Sequence, residues 1–354
     1  MAKIWPSLKE PGEIQLSKQN VKSTDLPLEE EDVSAARPNS YKVPAWSSES
    51  VLPIFHNSNL ELIAKRQKNE QALNGVTIFL DPALGGDEKG YTLSSNASGN
   101  FTKVYTQAEL NLLLAEKIAK KFESLGAQVI LMRSTDMTMS DYERAARLAY
   151  YILGEFQKEL KEQNFTSERL SDLRRVIGAE IAKGQDANYQ QLFTKPGANS
   201  NLRLILDIEK QFQEMFYLRI NYAHDSKNTD NRGYQLKVIK PILAAAEGSK
   251  ETPAYMGYLA AESKAVAENM SAELLKIIPE LKNSDSEGVV ETVSDLFRFI
   301  NIPFVEFSPG YLSHARDLSI IISSERQEII AEAVANSLYA YLSEIEIAKT
   351  EDEQ

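Results

Sequence analysis

Two periodicities of apolar residues alternate along this chain from Gly75 onward. Val76 to Leu80 is an unbroken apolar and β-branched run, stopped by Asp81-Pro82 and a turn closed by Gly85-Gly86. Such a run reads as a buried strand that ends in a loop. Leu110, Leu113, Leu114, Ile118 and Phe122 then recur at helical spacing, with Gly126 placed to cap the helix. AQVILMR follows as a second buried strand. Strand, helix and strand in this order predict a parallel pair joined by a right-handed crossover.

The alternation continues. Ser140, with Glu143 three residues on, predicts an N-cap for a helix that runs with little Gly or Pro to about residue 183. KPGANSN breaks the pattern, and another helix leads into FYLRINYA, whose end reads as a strand. Residues 156–213 are therefore expected to be a mostly helical insertion between two sheet elements, far longer than an ordinary connection. RGYQLKVI, ESKAVAENMSAELLKII, IPFVEFSPG and SSERQEIIAEAVANSLYAYL read in turn as strand, helix, strand and helix, the last capped by Ser323 or Ser324. A short helix over roughly Leu60 to Leu73 leads into the first strand.

The expected fold class is α/β, a mostly parallel twisted sheet flanked by helices and carrying a helical insertion, over residues 57–346. Residues 1–56 lack periodicity and are expected to form an extended, poorly ordered arm, with Trp5, Trp46 and Ile54-Phe55 as its docking candidates. Residues 347–354 form an acidic tail.

Charge and composition narrow the function. A net charge of -12 argues against a nucleic-acid-binding surface, which needs clustered Lys and Arg. With no cysteine there are no disulfides, thiolate metal sites or cysteine nucleophiles. Three histidines, His56, His224 and His314, leave any histidine-built metal site short of ligands. His56 and His314 read as surface or turn residues. No stretch reaches the roughly 18 apolar residues of a membrane span. The first residues hold no apolar core of signal-peptide length, so the chain fits a cytoplasmic protein or a processed form located in the periplasm or cell envelope.

Four segments, in order, resemble one family. IFLDPALGG is similar to a strand-plus-turn motif DPGHGG, and QAELNLLLAEKIAKKFESLGAQVILMRSTD to a helix–strand segment that opens with glutamate and ends in a Thr-Arg-x-x-Asp pattern. YLRINYA stands where a strand ends in Ser-Ile-His, and IPFVEFSPGYLS with its helix resembles a closing strand that carries a glutamate. The family is the zinc-dependent N-acetylmuramoyl-L-alanine amidases, which cleave peptidoglycan. The resemblance implies a zinc held by His, Glu and His with an open position for water, and a glutamate that shuttles the proton.

Carried over position by position, the first histidine falls on Leu84, the ligand glutamate on Gln107 and the second histidine on Asn221, while the catalytic glutamate survives as Glu306. Leu84 has no lone pair, and neutral amide oxygens are poor zinc ligands beside imidazole and carboxylate. The expectation is a lost zinc site, no cofactor and a vestigial Glu306 hydrogen-bonded to backbone or to Gln107 and Asn221. Glu109 lies about 200° around the helix from Gln107. His224, Asp225 and Asp87 could converge on a rebuilt site only if the chain turns after Asn221. Arg133, Asp136, Glu143 and Arg144 are expected to support the fold.

Two classes of function follow. In the first, the chain is a pseudoenzyme of the bacterial cell envelope that binds protein partners through the insertion and the arm, with peptidoglycan as a further ligand of the old groove. Its insertion should then expose an apolar patch of several hundred Å². In the second, it is an active amidase with a rearranged metal site, or a hydrolase that uses Glu306 with Asp81.

Overall fold

The computed structural model describes residues 3–4, 54–93, 104–189, 193, 200–240, 259–282, 288–292 and 294–345. Trp5, Trp46 and the acidic tail lie outside them. Among the described strands, β3 (Thr92–Leu93) and β4 (Tyr105–Thr106) form a small antiparallel ribbon. The others are β1 (Lys3–Ile4), β2 (Thr77–Pro82), β5 (Gln128–Leu131), β6 (Met215–Ile220), β7 (Gln235–Ile239), β8 (Val289–Thr292) and β9 (Phe304–Ser308). They make one sheet in the order β1-β5-β2-β6-β9-β7-β8. Every pairing in it is parallel except β7 against β9. The α/β, mostly parallel architecture is the expected one.

Helices cover both faces, which is why the central strands are apolar on both sides. On one face, Ile78, Leu80, Leu218, Ile220, Val305 and Phe307 pack against α1 (Leu60–Ala64), α2 (Gln107–Ser124), α6 (Ala260–Ile277), α8 (Ala315–Ile321) and α9 (Ser324–Glu344). On the other, Phe79, Tyr217 and Phe304 meet α3 (Asp141–Glu162), α4 (Glu168–Lys183), α5 (Ser200–Glu209) and α7 (Asp295–Arg298). Ser140 caps α3 through the Glu143 N–H, and Ser323 caps α9 through the Arg326 N–H. Gly126 closes α2 at φ +88°.

The helical segment between β5 and β6 is not an appendage. Residue 156 lies within α3, and Phe156, Leu170, Ile177, Ile205 and Phe212 belong to the second core. Among its described residues Val176 is the one large apolar side chain left exposed. The expected apolar patch is therefore not found on the described part of the insertion.

Helix α1 is shorter than the Leu60–Leu73 expectation. Asn69 takes the Gln71 N–H on its side chain and the Ala72 N–H on its carbonyl, and this local turn displaces the helix. Phe55 and His56, the last residues of the arm, are packed against α3 and its neighbours, while the docking candidate Ile54 is exposed. The Phe55 ring meets Phe156 and Phe165 edge-on at 5.9 and 5.4 Å, and Gln211 Oε1 accepts the Phe55 and His56 N–H groups. His56 is buried, stacked on Phe212 and held between Glu159 (2.6 Å) and Glu214 (2.5 Å). The reading of His56 as a surface residue is thereby corrected.

Candidate functional site

The carboxyl ends of β2, β6 and β9 lie side by side, where ligands gather in open α/β sheets. Strand β2 runs out through Pro82 into a turn in which Leu84 sits at φ +65°, Gly85 at +130° and Gly86 at +59°. Buried Arg133 grips this turn. It donates to the carbonyls of Pro82 (2.8 Å), Ala83 (3.1 Å) and Ala108 (2.8 Å), tying the loop to the first turn of α2. Asp136 Oδ1 accepts the Gly86 N–H at 2.7 Å. A side chain at Gly86 would have its Cβ 2.4 Å from the Thr138 nitrogen, so the loop backbone lies directly against its support. Arg133 and Asp136 brace the turn, as their place in the sequence suggests.

Gln107 is the first residue of α2. The helix start is set by a capping box in which Thr106 and Glu109 satisfy each other's backbone N–H groups. Glu109 is thus spent on the cap. The Gln107 amide is spent on the site: Oε1 accepts the Tyr91 N–H at 3.0 Å, and Nε2 donates to Asn221 Oδ1 (3.2 Å) and the Tyr222 carbonyl (2.6 Å). Asn221 Nδ2 in turn donates to Glu306 Oε1 at 3.3 Å. The loop before β3 lies on this pair. A Cβ on Gly90 would fall 2.4 Å from Gln107 Oε1 and 2.5 Å from Leu84 Cδ1. Leu84, Gln107, Asn221 and Glu306 therefore do come together, under the backbone of Gly90 and Tyr91.

Beneath them runs a row of alternating charge. Strand register puts Asp81 beside Arg219, Arg219 beside Glu306, and Glu306 beside Lys237, and cross-strand neighbours share a face. Lys237 Nζ lies 2.9 Å from Glu306 Oε1, and Arg219 Nε is 3.6 Å from both Glu306 Oε2 and Asp81 Oδ2. Arg219 Nη1 also donates to Asp141 at 3.0 Å, and Arg144 Nε to Asp81 at 2.9 Å. Burial raises the Asp81 carboxyl, but the Arg144 and Arg219 guanidiniums outweigh it and hold the group below its ordinary value. Asp81 stays ionised and locked. Arg219 stands between it and Glu306, so the two carboxylates do not face each other across a substrate space.

The remaining candidates have other contacts. His224 stacks on Tyr91 at 3.9 Å, and Asp225 accepts the Lys227 and Asn228 N–H groups. His314 caps α8 through the Asp317 N–H. Among the described residues no three His, Asp or Glu side chains are grouped to hold a metal ion. Leu84 and two saturated amides are not a donor set that fits Zn²⁺. Sequence reasoning missed Arg219 and Lys237. The available signal was a cation within each of two mostly apolar strands.

The family model described as N-acetylmuramoyl-L-alanine amidase matches residues 78–340. A probable cell wall amidase, LytH of Staphylococcus aureus, is 31% identical over 84 residues, which is 24% of this chain and 27% of that protein. The chain thus spans about a quarter of that relative's length. Two amidase structures are similar over 76% of this chain and 98% of theirs. They come from Clostridium difficile (17% identity, TM-score 0.46) and, as Ami1, from Mycobacterium smegmatis (12%, 0.46). The family match runs from within β2 through the 107 and 221 positions and Glu306 into α9. This chain belongs to the N-acetylmuramoyl-L-alanine amidase family.

Proposed function

We propose that this chain is a catalytically inactive, metal-free member of its family that serves as a protein-binding module of the bacterial cell envelope. The observation that carries this reading is the Gln107 amide. Each of its functions is already bonded, to Tyr91, Asn221 and Tyr222, at the position where the resemblance implies a zinc-ligating carboxylate. Leu84 offers no donor, and the Glu306 carboxylate is already paired with Lys237 and Arg219. The close fit of Gly90 on Leu84 and Gln107 counts against peptidoglycan held at the floor of the old groove.

Partner contact is assigned to the insertion and the arm. The outer side of the insertion carries charge, as in the exposed Arg175–Asp172 pair and at exposed Lys158, so the contact it offers is polar. The test is elemental analysis and zinc calorimetry on the purified chain, with release of stem peptides from purified peptidoglycan as the activity assay. The expected result is no metal, no zinc binding in the micromolar range and no release. Stoichiometric zinc with peptide release overturns the reading. Photo-crosslinkers at Asp172 and Arg175 test the partner surface, with crosslinked protein expected there and absent from control positions at Glu332 and Glu325.

A further inference from the structure

We infer that Arg219 and Lys237 supply the positive charge a divalent cation would bring to this site, and that Arg219 weakens metal binding even where the donor side chains are restored. This rests on the reading of the site as metal-free. Set against Ser-Ile-His, the end of β6 reads Arg219-Ile220-Asn221, so a guanidinium replaces a serine two residues before the second lost ligand. The register then places that guanidinium between Asp81 and Glu306.

Glu306 explains why the charge is needed. Its side chain is 11% exposed, and a carboxylate taken out of water must be paired. Lys237 holds one oxygen at 2.9 Å and Arg219 approaches the other at 3.6 Å. Asn221 donates to the same oxygen that Lys237 holds. Residue 221 and both cations therefore meet on one carboxylate. A dication held by residues 84, 107 and 221 would share Glu306 with two positive charges, in surroundings where like charges repel far more strongly than in water.

The two cations are not equal. Lys237 is 32% exposed, on a flexible stem that can swing into solvent. Arg219 is 13% exposed, with Nη1 fixed on Asp141 and Nε between two carboxylates. Asp81, Asp141 and Glu306 balance Arg144, Arg219 and Lys237, so the network closes without an ion.

The test compares zinc affinity in four full-length chains: wild type, Leu84→His/Gln107→Glu/Asn221→His, and that triple variant with Arg219→Ser or with Lys237→Met. Affinity is read by competition with a chelating dye, and folding by thermal melting. The expected order is no binding by wild type, weak binding by the triple variant, and binding more than about tenfold tighter once Arg219→Ser is added. Lys237→Met should give a smaller gain. Equal affinity with and without Arg219→Ser overturns the inference while leaving the metal-free reading of wild type intact; zinc bound by wild type overturns that reading instead. Should the Arg219→Ser chain not fold, the Lys237→Met pair is judged alone, and no gain there overturns the inference.

Discussion

Arg144 Nε donates to Asp81 Oδ1 at 2.9 Å, and neither side chain has appreciable contact with water. The bond joins the first turn of α3 to the end of β2, at the edge of the site. Removing one partner of such a pair strands the other in a low-dielectric interior. Arg144→Met is expected to destabilise the fold by about 3–5 kcal/mol, measured by urea denaturation. The pH dependence gives a second readout. Asp81 is held below its ordinary value of 3.8, so its contribution is present above that pH and is lost as pH falls through the lower folded value. In Arg144→Met that acid-side loss should be smaller.

Gln107→Glu tests whether the amide is structural. A carboxylate could still accept the Tyr91 N–H, but it would face Asn221 Oδ1 and the Tyr222 carbonyl with no hydrogen to offer. The expected cost is about 1–3 kcal/mol at neutral pH, shrinking near pH 4 as the introduced carboxyl protonates. A thermal melt series from pH 4 to 8 measures it. A variant as stable as wild type throughout would show that the amide bonds do not hold the loop over the site.

His56 sets a different pH window. Burial pulls its pKa down, but hydrogen bonds and charge from Glu214 and then Glu159 outweigh this and raise it above 6.5. A raised value means that the stabilisation is full below pH 6.5 and lost as pH climbs through the folded value. Glu159, raised mainly by its own burial, titrates in the same sense from 4.5 upward. Against His56→Gln, wild type should show its largest advantage at pH 6 and a smaller one at pH 9. Hydrogen exchange at Phe55 and His56 should follow the same course, because both amides close on Gln211 beside the imidazole.

The fold was readable wherever one element carried its own pattern. Strands β2, β6 and β9 are apolar on both faces, and α2 and α9 show helical spacing, so each announces itself within about ten to twenty residues. Strand β8 and the β3–β4 ribbon are too short and too mixed in burial to do so. Leu84, Gln107, Asn221 and Glu306 were found through the order of four motifs. Arg219 and Lys237 were not, because their meaning depends on register, and a slip of one residue would turn them to the opposite face. His56 was misread because its partners lie 103 and 158 residues away along the chain.

Leu84 holds a left-handed backbone at φ +65°, a conformation that disfavours a side chain as bulky as leucine. Nothing in its own chemistry asks for that shape. The shape is imposed from outside, by Arg133 on the two preceding carbonyls, by Asp136 on the Gly86 amide, and by the two glycines that follow Leu84. The turn is thus a mould whose outline is independent of what fills it. A protein built this way keeps the outline of its loop whichever side chain occupies position 84, because the frame, and not the residue it carries, sets the path of the backbone.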